Sequence, residues 1–323
     1  MVENQARARG SRRAGGRGAK NAAAASQSAI KQLPRGSVKN TVPPIEPLSA
    51  DQIETIHHAS LKILSDVGME VLGDDAKAVF KAAGVDVKPD TDLINFDPAF
   101  IEEAIKTAPS TFKFHSRNPE RTVTFGDGHI HFCPVASAPN TTDADSGRRQ
   151  GNWEDFRNLT RLIQSLNCMA FIPGYPVEPT DIDRRIRHLE AMRDFSFLTD
   201  RAFHNYSLGP QRTKDGLDLA RIVRGGISEE QFLAEPSLLT IVNTNSPLKL
   251  DSPMGHGIVE HARHGQITVV TPFTLAGAMA PVTLAGALAQ QNAEFLVGLA
   301  LAQCARPGAP IIYGGFTSNV DMK

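Results

Sequence analysis

Six short apolar runs, each followed by a loop and an amphipathic stretch, limit the folds open to this chain more than any other feature. They begin at Ile130 (IHFCPV), Met169 (MAFIPG), Asp200 (DRAFHNYS), Leu238 (LLTIVN), Ile267 (ITVVTP) and Pro310 (PIIYGG), one every 36 residues on average. Helix-like spacing of apolar residues fills the gaps, over residues 153–166, 181–193, 212–224, 253–264 and 283–304. Strands buried on both faces read as continuous apolar segments, and their alternation with helices is solved most simply by a parallel sheet. The expected fold class is α/β, with a TIM-type (β/α) barrel as first choice. A doubly wound open sheet comes second, because no Gly-rich phosphate fingerprint follows any of the runs. A barrel of this type has eight strands, so with six runs it is expected to be incomplete in this chain.

The stretch around the fifth run needs separate attention. From Gly265 to Ala305 the only charge is Glu294, and the pentapeptide TLAGA occurs at Thr274 and again at Thr283. A membrane span needs about 20 uninterrupted apolar residues, and Pro281, Gln290, Gln291, Asn292 and Glu294 break every such window. The two copies are expected on different structures: the first in the loop after a strand, the second opening a buried helix, with Pro281 just ahead of the helix start, where proline costs little.

Upstream, residues 46–127 read as a preface of helices and a β ribbon. Ser49 is placed to cap a helix starting near Asp51, further helices follow near 74–83 and 98–107, and TFKFHSRN and RTVTFGDGHIHFC alternate as ribbon strands do. Residues 128–323 carry the barrel pattern. Residues 1–45 form a basic tail: its first 40 positions hold nine Lys or Arg against Glu3, about +8, while the net charge of the whole chain is -1. Rich in Gly, Ala and Ser and without apolar periodicity, the tail is expected to be a disordered arm. A mitochondrial presequence and a non-specific nucleic-acid contact are its alternatives. The cysteines Cys133, Cys168 and Cys304 show no paired spacing, which fits a reducing cytoplasm and offers no cysteine zinc site.

In a barrel, chemistry sits in the loops at the C-terminal ends of the strands. All three tyrosines fall there: Tyr175, Tyr206 and Tyr313, with Phe273 and Phe316 at the fifth and sixth ends. Aromatic faces around one pocket attract a cation, quaternary ammonium above all; alternatively these rings pack under loops with wet hydroxyls. His204, Asn243 and Asn245 at the same ends are neutral hydrogen-bonders. His256, His261 and His264 in GHGIVEHARHG are expected as solvated helix histidines, since no third zinc ligand accompanies them. Cys133 is expected to be buried and inert, and Glu178 either faces the pocket or belongs to the loop before a helix. No catalytic residue and no metal site can be assigned from spacing.

Three long stretches, LTIVNTNSPLKLD, TPFTLAGAMAPVTLAGALAQQNAEFLVGLALAQ and GAPIIYGGFTSNVDMK, resemble the trimethylamine methyltransferase family, the corrinoid-dependent methyltransferases of methylamine and betaine metabolism. The likeness covers residues 47–323 and leaves out the basic arm. It implies a TIM barrel that moves a methyl group from trimethylamine or a quaternary amine such as glycine betaine to the Co(I) of a separate corrinoid protein. The chain itself would then bind no cofactor, work in the cytoplasm without a membrane, and form a homo-oligomer. Family chains run past SNVDMK, and the pyrrolysine of the trimethylamine enzymes lies in that further part, so the chain is expected to be a portion of a longer one. On this likeness Tyr175, Tyr206, Phe273 and Tyr313 would surround the ammonium, and His204, Asn243 and Asn245 would position the rest of the substrate. Two other functions remain beside it: a non-enzymatic quaternary-amine binder, and a barrel lyase or aldolase, for which Lys249 and Lys323 are the only lysines near strand ends.

Overall fold

The computed structural model describes residues 31–320, so most of the basic tail and the last three residues lie outside the described part. Residues from Gly36 onward form one compact unit. Within the span expected as tail, strand β1 (Val38–Lys39) is already paired, antiparallel to His129 and Ile130. The preface continues with α1 (Ala50–Asp66), β2 (Met69–Val71), α2 (Asp74–Ala82), β3 (Leu93–Ile94), α3 (Pro98–Thr107), the hairpin β4 (Phe112–Phe114) and β5 (Val123–Phe125), and β6 (His129–Ile130). Ser49 caps α1 as expected: its hydroxyl accepts from the Gln52 amide at 3.3 Å while the Gln52 side chain accepts from the Ser49 amide at 2.9 Å, a capping box.

Then comes the strand and helix alternation. A hairpin, β7 (Asn140–Asp143) and β8 (Gly147–Gln150), precedes α4 (Trp153–Ser165) and α5 (Arg187–Leu198). Next are β9 (Phe203–His204), α6 (Pro210–Val223), α7 (Glu229–Ala234), β10 (Leu238–Thr244), β11 (Lys249–Leu250), α8 (Ser252–Arg263), β12 (Ile267–Pro272), β13 (Leu275–Ala276), α9 (Leu284–Ala305), β14 (Ile311–Tyr313) and β15 (Ser318–Asn319). The β7–β8 hairpin was not anticipated. Its turn is held by Asp143, whose carboxylate accepts from the amides of Asp145 at 3.0 Å and Ser146 at 2.7 Å; the Ser146 hydroxyl and amide hold its pKa down at about 2.

The sheet is β9-β10-β12-β14, parallel throughout. Parallel bridges extend it backward, from Phe203 to Ile172 and from Met169 to Phe132. All six apolar runs therefore lie side by side in chain order. A doubly wound sheet reverses its order at a switch point, and no reversal occurs among the described residues. Nor does the sheet close on itself there.

Alternation along the strands separates two faces. Leu239, Ile241 and Asn243 of β10 pair with Ile267, Val269 and Thr271 of β12, and Val269 with Ile312 of β14, which puts all seven on one face. The floor of that face is filled by Phe114 and Phe125 of the hairpin, whose rings lie 5.7 and 5.8 Å from Phe171, together with Ala202, Leu239 and Ile267. The other face, with Val242, Val270 and Ile311, packs on helices. Among these is α9, apolar around its whole circumference because the sheet covers one side and α1, α2 and α3 cover the other. This is where the charge-poor stretch belongs. The first TLAGA forms β13 and a turn, and in the second the Thr283 hydroxyl caps α9, accepting from the Gly286 amide at 3.3 Å. No helix among the described residues is long and apolar enough to cross a membrane.

Close approach of α9 to the sheet requires Gly298: a Cβ there would stand 3.0 Å from both methyl carbons of Val270. A Gly298→Leu variant is expected to lose about 2 kcal/mol of stability through overpacking, read as a lower urea midpoint at unchanged slope.

Candidate active site

The C-terminal ends of the strands hold the expected side chains in two separate groups. In the first, Tyr206 lies two residues beyond β9 and packs its ring against the edge of His204 at 4.4 Å and against Tyr175 at 4.6 Å. The Tyr206 hydroxyl accepts from the Tyr175 amide at 3.0 Å and meets the Ser137 hydroxyl. Behind them, Tyr175 abuts Phe156, which stacks on Trp153 at 4.9 Å. Burial raises the pKa of both tyrosines, so their phenols stay protonated. Together they line a cavity of ≈ 650 Å³ with Ser137, Glu178, Arg187 and Arg212. Glu178 thus faces the cavity, where it is ion-paired with Arg187.

The second group lies at the ends of β12 and β14. Phe273 packs against Phe316 at 5.6 Å, both exposed. Tyr313, however, pairs in register with Val270, on the helix-facing side of the sheet, and stacks on Phe295 of α9 at 3.8 Å with the rings 2° from parallel. Burial pushes its hydroxyl pKa up to about 12. No ring contact joins Tyr313 or Phe273 to the Tyr175 and Tyr206 pair. Asn243 stands on the opposite face from Tyr313 and accepts from the Thr271 hydroxyl. Asn245 serves its own loop: its amide donates to Lys249 O at 2.8 Å and its side chain accepts from the Asp251 amide at 3.2 Å.

That loop depends on a residue the motifs did not single out. Glu294, the lone charge of the apolar stretch, is fully buried. Its carboxylate accepts from the hydroxyls of Thr244 at 2.5 Å and Ser246 at 2.7 Å, and from the Leu248 amide and the Gln290 side chain, both at 2.9 Å. Four donors at once make a buried carboxylate tolerable, and here they fasten the segment after β10 to α9. An isolated acid in a long uncharged run was the available signal.

The histidines depart from expectation. His261 is fully buried rather than solvated, because α8 turns it toward the sheet, and His256 binds Asp75 at 2.6 Å. His204 is buried with both ring nitrogens lacking a hydrogen-bond partner. Burial lowers the pKa of His204 to about 3 and that of His261 to about 4. Both rings are neutral in the fold, whereas the unfolded chain protonates them below a pKa of about 6.5. Their contribution is intact above that value and erodes as pH falls toward 4. Unfolding between pH 6 and 4.5 is accordingly expected to take up about two protons more than at pH 7.5; a flat stability profile over that interval would contradict the burial of the pair.

Two further expectations change. Cys133 is exposed, not buried, since the first run contributes only the Phe132 bridge to the sheet. Lys249 is ion-paired with Glu70 at 2.5 Å on β11, which joins β2 and β3 rather than the parallel sheet, and Lys323 lies outside the described residues. Among the described residues no group of three or more His, Cys, Asp or Glu is placed to hold a metal ion.

The family described as trimethylamine methyltransferase (MTTB) matches residues 13–323. This chain belongs to that family. The trimethylamine methyltransferase match begins well before residue 47 and so takes in part of the basic arm. Glycine betaine methyltransferase of Desulfitobacterium hafniense (strain Y51) is 33% identical over 85% of this chain and 57% of its own length. Trimethylamine methyltransferases of Methanosarcina mazei and of Desulfitobacterium hafniense (strain DCB-2) are each 27% identical over 85% of this chain, covering 56% and 55% of theirs. The chain thus spans somewhat more than half the length of these family members.

Proposed function

We propose that the protein belongs to a methyltransferase acting on a methylated amine, glycine betaine or trimethylamine, with the corrinoid of a separate carrier protein as methyl acceptor. Its parallel strands, in chain order, would be the larger part of an eight-stranded (β/α) barrel. The observation that carries this proposal is the likeness to the glycine betaine enzyme over most of the chain, coupled to an aromatic pair lining a cavity at strand ends.

The chemistry of the mouth suits such a carrier. Phe273, Phe316, Met279 and Val282 are exposed beyond β12 and β14, and Glu294, the only charge between Gly265 and Ala305, is buried. Neutral apolar surface of this kind can meet a broad macrocycle and keep water from the transfer. When bound by its carrier, the corrinoid supplies the nucleophile that takes the methyl group while nitrogen keeps the bonding electron pair. A quaternary nitrogen therefore loses its charge along the path. Tyr175 and Tyr206 offer the faces of neutral phenols, an attraction mild enough to orient the ammonium without holding it in the ground state. His204, neutral and beside Tyr206, adds no repelling charge. Asn243, on the face away from the helices, would orient substrate or acceptor.

The test is methyl transfer from glycine betaine and from trimethylamine to reduced cobalamin, followed by the absorbance change of the corrinoid. Transfer is expected with one of the two, and Tyr206→Ala should lower kcat/KM about tenfold. Binding of a methylated amine with no transfer to any corrinoid would leave a binding protein instead.

A further inference from the structure

The cavity beside Tyr175 and Tyr206 carries more positive charge than a simple methylated amine can use. Three arginines line it, Arg184, Arg187 and Arg212, against one acidic residue, Glu178. Arg187 is spoken for: it pairs with Glu178 and donates from Nη2 to Ile182 O at 2.7 Å. His188, also a lining residue, is held by Asp215 at 2.9 Å. Arg184 and Arg212 have no carboxylate within ion-pair distance among the described residues. Arg212 donates from Nη2 only to the Arg184 carbonyl, at 2.9 Å, which sets the two residues side by side.

The helices reinforce this field. Arg187 opens α5 and Arg212 lies in the first turn of α6, and neither N-cap residue, Ile186 or Gly209, supplies a side-chain acceptor. The positive ends of two helices therefore add to the guanidinium charge. A wall of this kind favours an anion, and the planar fork of arginine matches a carboxylate in particular. The same cavity is lined by Tyr175 and Tyr206, whose rings favour an alkylammonium.

We propose that this cavity is a two-part subsite for a zwitterionic N-methylated amino acid, its carboxylate held by Arg184 and Arg212 and its quaternary nitrogen set against Tyr175 and Tyr206. The assignment rests on the proposed function in placing the substrate at this aromatic pair. It adds a selection rule: an amine with no carboxylate leaves both guanidinium groups uncompensated and meets net repulsion. At ≈ 650 Å³ the cavity admits zwitterions longer than glycine betaine as well.

Titration calorimetry of the protein with three probes tests it: glycine betaine, choline, which keeps the ammonium and lacks the carboxylate, and inorganic phosphate. Glycine betaine is expected to bind at least tenfold more tightly than choline. Arg212→Gln and Arg184→Ala should each weaken betaine about tenfold, tighten choline by relieving its repulsion, and keep the melting temperature within a degree or two of the parent. Equal affinity for betaine and choline overturns the proposal, as does an unaltered betaine Kd in both variants, or phosphate binding that betaine does not displace. Because the readout is equilibrium binding, the subsite can stand where methyl transfer fails. Conversely, transfer from trimethylamine with no arginine-dependent betaine binding would remove the subsite and leave the proposed reaction.

Discussion

Glu294→Ala should cost about 3 kcal/mol of stability, and unfolding in denaturant should show it as a large drop in midpoint. The carboxylate is fully buried and satisfies four donors, from Thr244, Ser246, Leu248 and Gln290. Hydroxyl groups can swing to other acceptors. The Leu248 amide cannot, and an orphaned buried N–H costs about 1–3 kcal/mol on its own. Glu294→Gln should be milder, because one oxygen can keep the Leu248 amide while the two hydroxyls rotate to accept from the new amide. Hydrogen exchange should show the loss locally, in residues 245–250, before it appears elsewhere. A change below about 1 kcal/mol for the alanine variant would mean that the loop finds other partners, and the role given to Glu294 would be wrong.

An effect of similar size is expected at Arg201. This is the largest of the fully buried side chains, 1% exposed. Its guanidinium donates to Leu166 O at 2.7 Å, to Ile163 O and Gln164 O at 3.4 Å, and to Met169 O. These carbonyls belong to the last turn of α4 and the chain just after it, where a helix leaves acceptors without intrahelical partners and carries partial negative charge. One planar fork thus closes the C-terminus of α4 and ties it to the strand run that begins at Asp200. Arg201→Met retains much of the apolar stem and removes every donor, and should lose about 3 kcal/mol. Arg201→Lys, which keeps the charge without the fork, should fall between it and the parent protein. If the methionine variant melts with the parent, the carbonyls are satisfied by other means.

Much of the architecture is readable along the chain, and the reason is local. Runs such as ITVVTP and LLTIVN are apolar on both sides of the strand, so burial on both faces, and with it a parallel sheet, follows from composition and spacing alone. Ser49 and Gln52, four positions apart counting both, announce the start of α1. The helix after the second TLAGA carries Glu294 as its only charge and no polar face, which demands cover on every side, and the sheet with α1 to α3 provides it. Family membership is legible for the same reason: long stretches in one register keep their identity without any knowledge of contacts.

The site was less open to such inference. All three tyrosines stand at strand ends, yet only Tyr175 and Tyr206 meet; Tyr313 faces α9 and stacks on Phe295. Strand side chains alternate with a period of two, so a shift of one residue sends a side chain to the other face. In IIY, apolar at every position, nothing in the order of residues says which face is which. Pairing of Tyr313 with Val270 settles it, and that pairing joins segments more than forty residues apart. The arginine cluster is hidden for a related reason: Arg184 and Arg212 read as ordinary charged positions until the turn before α5 and the first turn of α6 meet at one cavity. Glu294 and three of its four donors, Thr244, Ser246 and Leu248, are separated by 46 to 50 positions. Local order thus decides which elements form and how they alternate, because propensity and periodicity act over a few residues. Which side chains share a pocket depends on register and helix placement, and those are set only when the whole sheet has assembled.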